Sequence, residues 1–524
     1  MQKHNMRTEK KSSIKNSATR LVLIALLVLI QTGWMVFLML KLNAYSTAIT
    51  LTLTFIAVFI ALKIFGTHVN SAQRMPWLIV ITAVPFFGIC IYLLFGRSIV
   101  TKGMRRRFNG IESDILVNKL SQDETVIDEI AAKDKGIANQ CRYISYTARY
   151  PVYKNTDVEY YAEADISFAA QIEELKKAEH FIFMEYHAIE DALSFERLKK
   201  VLIEKAQSGV EVRIFYDDLG SIFFLNKEFI KRMREQGIQC RVFNPLKVVV
   251  NMFMNNRDHR KITVIDGRVG FTGGYNLADE YFNITHPYGY WKDTGIKLTG
   301  DAVRSLTASF LTMWNAIDHT DSQADYDKYL DAADNTYKAV DSECYVQPYS
   351  DNPLGQDRIG EDVYLNILKN AKDYVYITTP YFIITDEMER ELRLAVKRGV
   401  DVRIVTPGIP DKKMVYKITR SYYEPLCSAG VRIYEYTPGF CHAKQWVSDD
   451  EVSVVGTINM DFRSLYLHFE NAVFTYNKGL AAKVKKDMLN NFEAGREVTK
   501  DYAKDVIRPL KLGTCILRMI SPLL

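Results

Sequence analysis

The chain is 524 residues long, and its formal net charge of +5 hides an uneven partition. Residues 1–107 carry 14 of the 67 Lys and Arg but one of the 62 acids, a net of +13, which leaves the rest of the chain at −8. That acidic remainder argues against a nuclease, which needs a basic footprint, and seven scattered cysteines, odd in number, show no disulfide framework.

The first predicted elements are apolar runs. Leu21–Leu40 is 20 residues without a charge, enough to span a bilayer as a helix. It is too long for the apolar core of a signal peptide and no small-residue cleavage pattern follows it, so it reads as an anchor. Thr47–Leu62, at 16 residues, reads either as a span or as half of a hairpin with the third run, Pro76–Phe95. The basic segments 1–20 and 97–107 suit anionic lipid headgroups. Two basic flanks favour a cytoplasmic position for both. That requires an even number of crossings, and three apolar runs leave the number open. Residues 1–105 are therefore a membrane region and 106–154 an entry segment.

From residue 155 the pattern alternates and repeats. Ala178–Phe183 precedes a helical stretch and then Gly209–Ile214. Ala371–Tyr376 precedes another helical stretch and then Gly399–Ile404. Gly237–Val242 corresponds in the same way to Gly430–Tyr434. Each half reads strand, helix, strand, helix, strand, hairpin, with glycine closing each helix and a β-branched run opening the next strand. This alternation predicts an α/β fold of two duplicated mixed sheets flanked by helices. The halves span 155–330 and 331–524 and face each other.

Each repeat ends in the motif H-x-K-x4-D-x6-G-[GT]-x-N. The first copy is His259, Lys261, Asp266, Gly273, Gly274 and Asn276; the second is His442, Lys444, Asp449, Gly456, Thr457 and Asn459. Side chains alternate along a strand, so each His shares a face with its Lys. Asp266-Gly267 is a tight-turn dipeptide, and Gly273 and Gly274 permit close backbone approach. The set suits a phosphodiester. Two ammonium groups and two amides, from Lys261, Lys444, Asn276 and Asn459, can hold its free oxygens. One imidazole attacks phosphorus and the other protonates the leaving alkoxide. Neither a metal nor a cofactor is then needed, and one active site needs both copies. Asp266 and Asp449 complete the catalytic motif, but they read as turn formers. Cys441, beside His442, reads as a packed small residue rather than a reactive thiol.

On these residues the chain resembles the phospholipase D superfamily. Three further segments resemble the bacterial cardiolipin synthases within it: Pro76-Trp77-Leu78 through Arg97; Thr379-Pro380-Tyr381-Phe382 with Trp291-Lys292-Asp293; and Arg508-Pro509-Leu510 through Ser521-Pro522-Leu523-Leu524. The resemblance runs from about residue 45 onward. It implies that Asp293 and Glu470 orient the imidazoles through Nδ1, that His259 is the nucleophile and that His442 is the acid. It implies transfer of a phosphatidyl group between two phosphatidylglycerol molecules through a phosphohistidine, giving cardiolipin and glycerol. The partners implied are phosphatidylglycerol and anionic membrane lipid. The location implied is a bacterial cell membrane crossed more than once, with the catalytic part cytoplasmic. A hydrolytic phospholipase D and another phosphatidyltransferase share the same residues and stay open; a membrane scaffold with a dead site fits the intact motifs poorly.

Overall fold

The computed structural model describes residues 46–67, 70–96, 102–226, 228–245, 256–318, 325–330, 337–505 and 511–523, with isolated positions between 26 and 37. Most of the Leu21–Leu40 run and residues 508–510 lie outside the described residues.

The first half builds β1 (Thr156–Tyr161), β2 (Phe181–Tyr186), β3 (Glu211–Asp217), β4 (Gln239–Phe243), β5 (Arg257–Asp258), β6 (Lys261–Ile265), β7 (Val269–Gly273), β8 (Tyr290–Lys292) and β9 (Gly295–Gly300). Seven of these form a mixed sheet in the order β1-β9-β7-β6-β2-β3-β4. The second half builds β10 (Tyr345–Asp351), β11 (Tyr374–Thr378), β12 (Asp401–Pro407), β13 (Arg432–Tyr436), β14 (Gly439–Cys441), β15 (Gln445–Ser448), β16 (Val452–Gly456), β17 (His468–Tyr476) and β18 (Gly495–Glu497). Its sheet runs β10-β17-β16-β15-β11-β12-β13-β18. Strand for strand this is the order of the first sheet with β18 added at the edge, so the duplication seen in the sequence is a duplication of topology.

Central strands are apolar for a structural reason. Phe181-Ile182-Phe183-Met184-Glu185-Tyr186 is buried at every position, because β2 lies between parallel β3 and antiparallel β6 with both faces covered. Helix Val303–Ile317 is buried on nearly every side. It packs on β2, β4 and β6 of the first sheet and on β10 of the second. A helix apolar all round belongs inside a core, and this one joins the two halves. Across the same junction Asn471 Nδ2 donates to Thr272 Oγ1 at 2.9 Å.

Two short strands are exchanged between the halves. β5 pairs in parallel with β17, His468 opposite Arg257 and Phe469 opposite Asp258. β14 pairs in parallel with β8, Phe440 opposite Trp291 and Cys441 opposite Lys292. Each exchanged strand ends one residue before a motif histidine.

The amino-terminal helices differ from the sequence reading. The Thr47–Leu62 run lies inside a longer helix, Ser46–Phe65. Its Ala48–Phe65 stretch, at mean hydropathy 2.3, is long and apolar enough to cross a membrane. The Pro76–Phe95 run is not one helix. Helix Ser71–Ala83 breaks at Val84, and Pro85 opens a second helix, Pro85–Ile91, since proline has no N–H with which to continue the first. The second helix folds back closely: a Cβ at Gly88 would meet Ile81 Cα at 2.5 Å. Ala57, Ile64, Ile81 and Ile89 pack together between these helices.

Candidate active site

A cavity of about 710 Å³ opens where the two halves meet, and His259, His442, Asn276 and Asn459 all line it. That volume suits a lipid headgroup. Strand exchange explains how four side chains from distant positions converge. The His259 N–H donates to Phe469 O at 2.9 Å, continuing the β5–β17 ladder, and the His442 N–H donates to Lys292 O at 2.7 Å, continuing β14–β8. The residue after each acceptor is an acid. His259 Nδ1 lies 2.9 Å from both carboxylate oxygens of Glu470, and His442 Nδ1 lies 2.6 Å from Asp293 Oδ2. Each histidine of one half is thus held by the acid of the other. With Nδ1–H donating to a carboxylate, Nε2 is the free basic nitrogen of each ring.

Close approach of backbone makes this possible. A Cβ at Gly274 would sit 2.0 Å from Asp293 Oδ1, so only glycine leaves space for that carboxylate. At the matching position of the second half, Thr457 instead donates its hydroxyl to Glu470. The acids therefore have different supports: Asp293 Oδ1 also accepts from the Thr294 N–H at 2.9 Å.

The electrostatics favour neutral rings when no other charge is near them. Burial, then the neighbouring Lys261, pushes the His259 imidazole well below its ordinary range. Burial and Lys444 lower His442 to about 3, against the pull of Asp293. The ammonium groups are also under strain. Burial lowers Lys261 to about 7 and Lys444 to about 8, with Glu470 and Asp293 respectively opposing it. Lys261 Nζ donates to His259 O at 2.6 Å, and Lys444 Nζ donates to His442 O. Burial disfavours ionisation of Asp293, yet Lys444 and His442 outweigh it and hold the carboxyl below its usual range. An anion entering between the two lysines relieves this arrangement, because it supplies the opposite charge that burial withholds.

The amides are partly committed. Asn276 Oδ1 accepts from the Ala188 N–H at 3.2 Å and Nδ2 donates to Tyr281 Oη at 2.8 Å, which fixes the amide in the cavity wall. Burial raises the Cys441 thiol to about 12, so it stays protonated and packed.

Asp266 and Asp449 do not face the cavity, and their place in the catalytic set is corrected. Asp266 accepts from the backbone N–H groups of Glu179, His180 and Phe181, all at 2.8 Å. Asp449 accepts from those of Lys372, Asp373 and Tyr374, all at 2.9 Å. Both adopt positive φ, 52° and 56°, a conformation that Asp tolerates better than most residues. Each aspartate stands at the far end of its strand, about 16 Å from the motif lysine at 3.3 Å per residue, and ties the turn to the start of β2 or β11. Asp266→Ala is expected to cost about 1–3 kcal/mol of stability and to leave turnover per folded molecule unchanged. Thermal melting alongside an activity assay separates the two effects.

Two histidines near His259 are absent from the motif reading. His187 Nδ1–H donates to Asp258 O at 2.7 Å, and its ring lies 5.0 Å from that of His259. The His468 ring lies 5.6 Å from His259, and Arg463 Nε donates to His468 Nε2 at 3.2 Å. His468 stands two residues before Glu470 on β17, so alternation alone places it on the same face. One ligand atom each from His259, His468 and Glu470 lie within 4.8 Å of one another, close enough to share a cation.

Comparison with known proteins identifies the family. A family described as "Cardiolipin synthase, PLD-like domain" matches residues 171–314 and 364–492, and "Phospholipase_D-nuclease N-terminal" matches residues 52–97. A cardiolipin synthase of Geobacillus thermodenitrificans is 34% identical over 496 residues, covering 92% of this chain and 94% of the relative. An uncharacterized protein of Streptococcus mutans is 39% identical over 465 residues, covering 88% of this chain and 99% of the relative. Among solved structures, phosphatidylserine synthase of Haemophilus influenzae shares the fold, with a TM-score of 0.53 at 15% identity over 70% of this chain and 94% of that one. Paired motifs, matching sheets and relatives of nearly full length together make the chain a member of the cardiolipin synthase family, with a duplicated phospholipase D-like fold.

Proposed function

We propose that the protein makes cardiolipin from two molecules of phosphatidylglycerol. The observation that carries this reading is the pair of imidazoles in one cavity, each with its Nδ1 on a carboxylate and each backed by a lysine. His259 Nε2 attacks phosphorus of the first phosphatidylglycerol, and the bond from phosphorus to the glycerol oxygen breaks. His442, protonated on both nitrogens once the anionic phosphodiester is bound, gives its Nε2 proton to that oxygen and becomes neutral, and free glycerol leaves. The terminal hydroxyl of a second phosphatidylglycerol then attacks the phosphohistidine while His442 takes its proton, and His259 is released. One phosphodiester is broken and one made, so the exchange needs no external energy source. Lys261, Lys444, Asn276 and Asn459 hold the free phosphoryl oxygens through both steps. The substrate's own charge, placed between two lysines, raises the affinity of His442 for the proton it must donate. Asp293 and Glu470 keep each imidazole in its working tautomer.

The basic flanks of the amino-terminal region support a multi-pass arrangement in a bacterial cell membrane with the catalytic halves on the cytoplasmic face.

Incubation of the pure enzyme with phosphatidylglycerol alone tests the reading. Cardiolipin and glycerol are expected in equal amounts, with little phosphatidic acid, and excess glycerol should lower the cardiolipin yield. Phosphatidic acid as the main product would identify a hydrolase built on the same residues. A requirement for a cytidine-activated donor would exclude the two-phosphatidylglycerol reaction.

A further inference from the structure

The carboxyl-terminal helix Leu512–Ile520 carries Leu512, Ile516, Leu517, Met519 and Ile520 but a single charge, Arg518, and buries none of its residues. Leu512 is 78% exposed and Ile516 49%. At nine residues the helix is about 14 Å long, too short to cross a bilayer. It is nevertheless held in place. The Arg518 guanidinium lies 3.9 Å from the Tyr422 ring and 3.4 Å from Glu389. The helix touches the membrane-region helix Ser71–Ala83 on one side and helix Lys413–Arg420 on the other. The turn that follows it brings Ser521 into the wall of the active-site cavity.

Helix Lys413–Arg420 continues the same surface. Met414, Val415 and Ile418 line the cavity, and Met414 is 46% exposed at its rim. Lys412, Lys413 and Lys417 stand exposed beside them. Residues 412–420 contain four basic side chains and no acid. A largely apolar strip of touching helices thus links the membrane region, through the carboxyl-terminal helix, to the mouth of the cavity, and three lysines edge it. A short apolar helix that stays exposed, joined through helix Ser71–Ala83 to helix Ser46–Phe65, which is apolar enough for a bilayer, and bordered by cations, has the make-up of an element that lies in a lipid interface.

We propose that this strip docks on an anionic bilayer, with helix Leu512–Ile520 embedded at headgroup depth and the cavity mouth between it and helix Lys413–Arg420 facing the lipid. Lipid then enters the cavity sideways from the leaflet and water is kept from the rim. The docking rests on the phosphatidyltransferase reading only for what the cavity holds; the surface itself stands on its own residues.

Depth measurement on the full-length protein tests the docking without reference to turnover. Cys515 is the exposed cysteine among the described residues, whereas Cys90 is half-buried and the others are buried. In a Cys90→Ser background, Cys515 takes an environment-sensitive fluorophore, and the protein is placed in vesicles of phosphatidylglycerol and phosphatidylcholine. Nitroxide groups on the lipid chains should quench this label, and aqueous iodide should not. A control label at Val340→Cys, with Cys515→Ser, occupies a site that is 93% exposed and should show the reverse. Iodide access at Cys515 equal to that at position 340 would overturn the proposal. Protection from both quenchers would also overturn it, since the strip would then be covered by protein, such as a second copy of the chain. In a second arm, Leu512→Asp with Ile516→Asp should lower turnover of vesicle lipid about tenfold and leave turnover of a short-chain, monomeric substrate unchanged. An equal loss on both substrates, or no loss on vesicles, would count against docking.

Discussion

His259→Ala and His442→Ala are each expected to reduce lipid turnover by at least about 10³-fold, because nucleophile and acid act as one unit. The fold should survive, since both rings line the cavity rather than the apolar core. The two variants should separate on a phosphodiester with a low-pKa leaving group such as nitrophenol. That leaving group needs no proton, so His442→Ala should recover much of its rate while His259→Ala should not. The opposite pattern would exchange the two roles. Equal recovery would show that neither histidine is the unique nucleophile. The acids offer a milder counterpart: of the two motif histidines Glu470 holds His259, so its loss should affect the nucleophile step before the protonation step.

Arg260→Met is expected to lower stability by about 3–5 kcal/mol, the usual cost of leaving a buried charge without its partner. Arg260 is the residue between the motif His and Lys, and it is 2% exposed. Its Nε lies 2.6 Å from Glu185 Oε1 and 3.2 Å from Asp258 Oδ1. Burial pushes the Glu185 carboxyl well above its ordinary 4.5, and Arg260 is the main force opposing that rise. Even with Arg260 the folded protein keeps a proton on Glu185 to higher pH than the unfolded chain does, and without Arg260 it keeps it to higher pH still. Stability of the variant should therefore fall further as pH rises above about 4.5, and the deficit should be larger at pH 8 than at pH 5. Melting temperatures in detergent at the two pH values check the sign. Adding Glu185→Gln should restore part of the loss at pH 8, and failure to do so would place the defect elsewhere.

Much of this architecture is legible in the sequence because its signals are local. Glycine after each helix and β-branched runs at each strand announce the repeat, and identical spacing announces the paired motifs. The face shared by His259 and Lys261 follows from alternation, and so does the opposite face on which Arg260 meets Glu185. The exchanged strands are not legible. Arg257–Asp258 and Gly439–Cys441 are too short for any periodicity, and their partners lie on the other half. For the same reason the resemblance implies that Asp293 and Glu470 are orienting acids without saying which histidine each one holds. Asp266 and Asp449 belong to the motif yet read as turn formers, and the three backbone N–H groups that each accepts from separate them from catalytic acids. The 16-residue run Thr47–Leu62 reads as ambiguous because Ser46 and Lys63-Ile64-Phe65 extend the helix beyond the purely apolar stretch.

The strand exchange also sets a schedule for synthesis. His259 waits for Glu470, which lies 211 residues further along the chain, a delay of about 10–40 s at ordinary rates of translation. His442 emerges 149 residues after Asp293, so both pairings close only when the second half folds onto the first. Throughout that interval the amino-terminal helices can already occupy the bilayer, and the first sheet can fold beside its eventual substrate. Both histidines are therefore fully held only after β17 has joined β5 and β14 has joined β8, well after the amino-terminal helices have emerged.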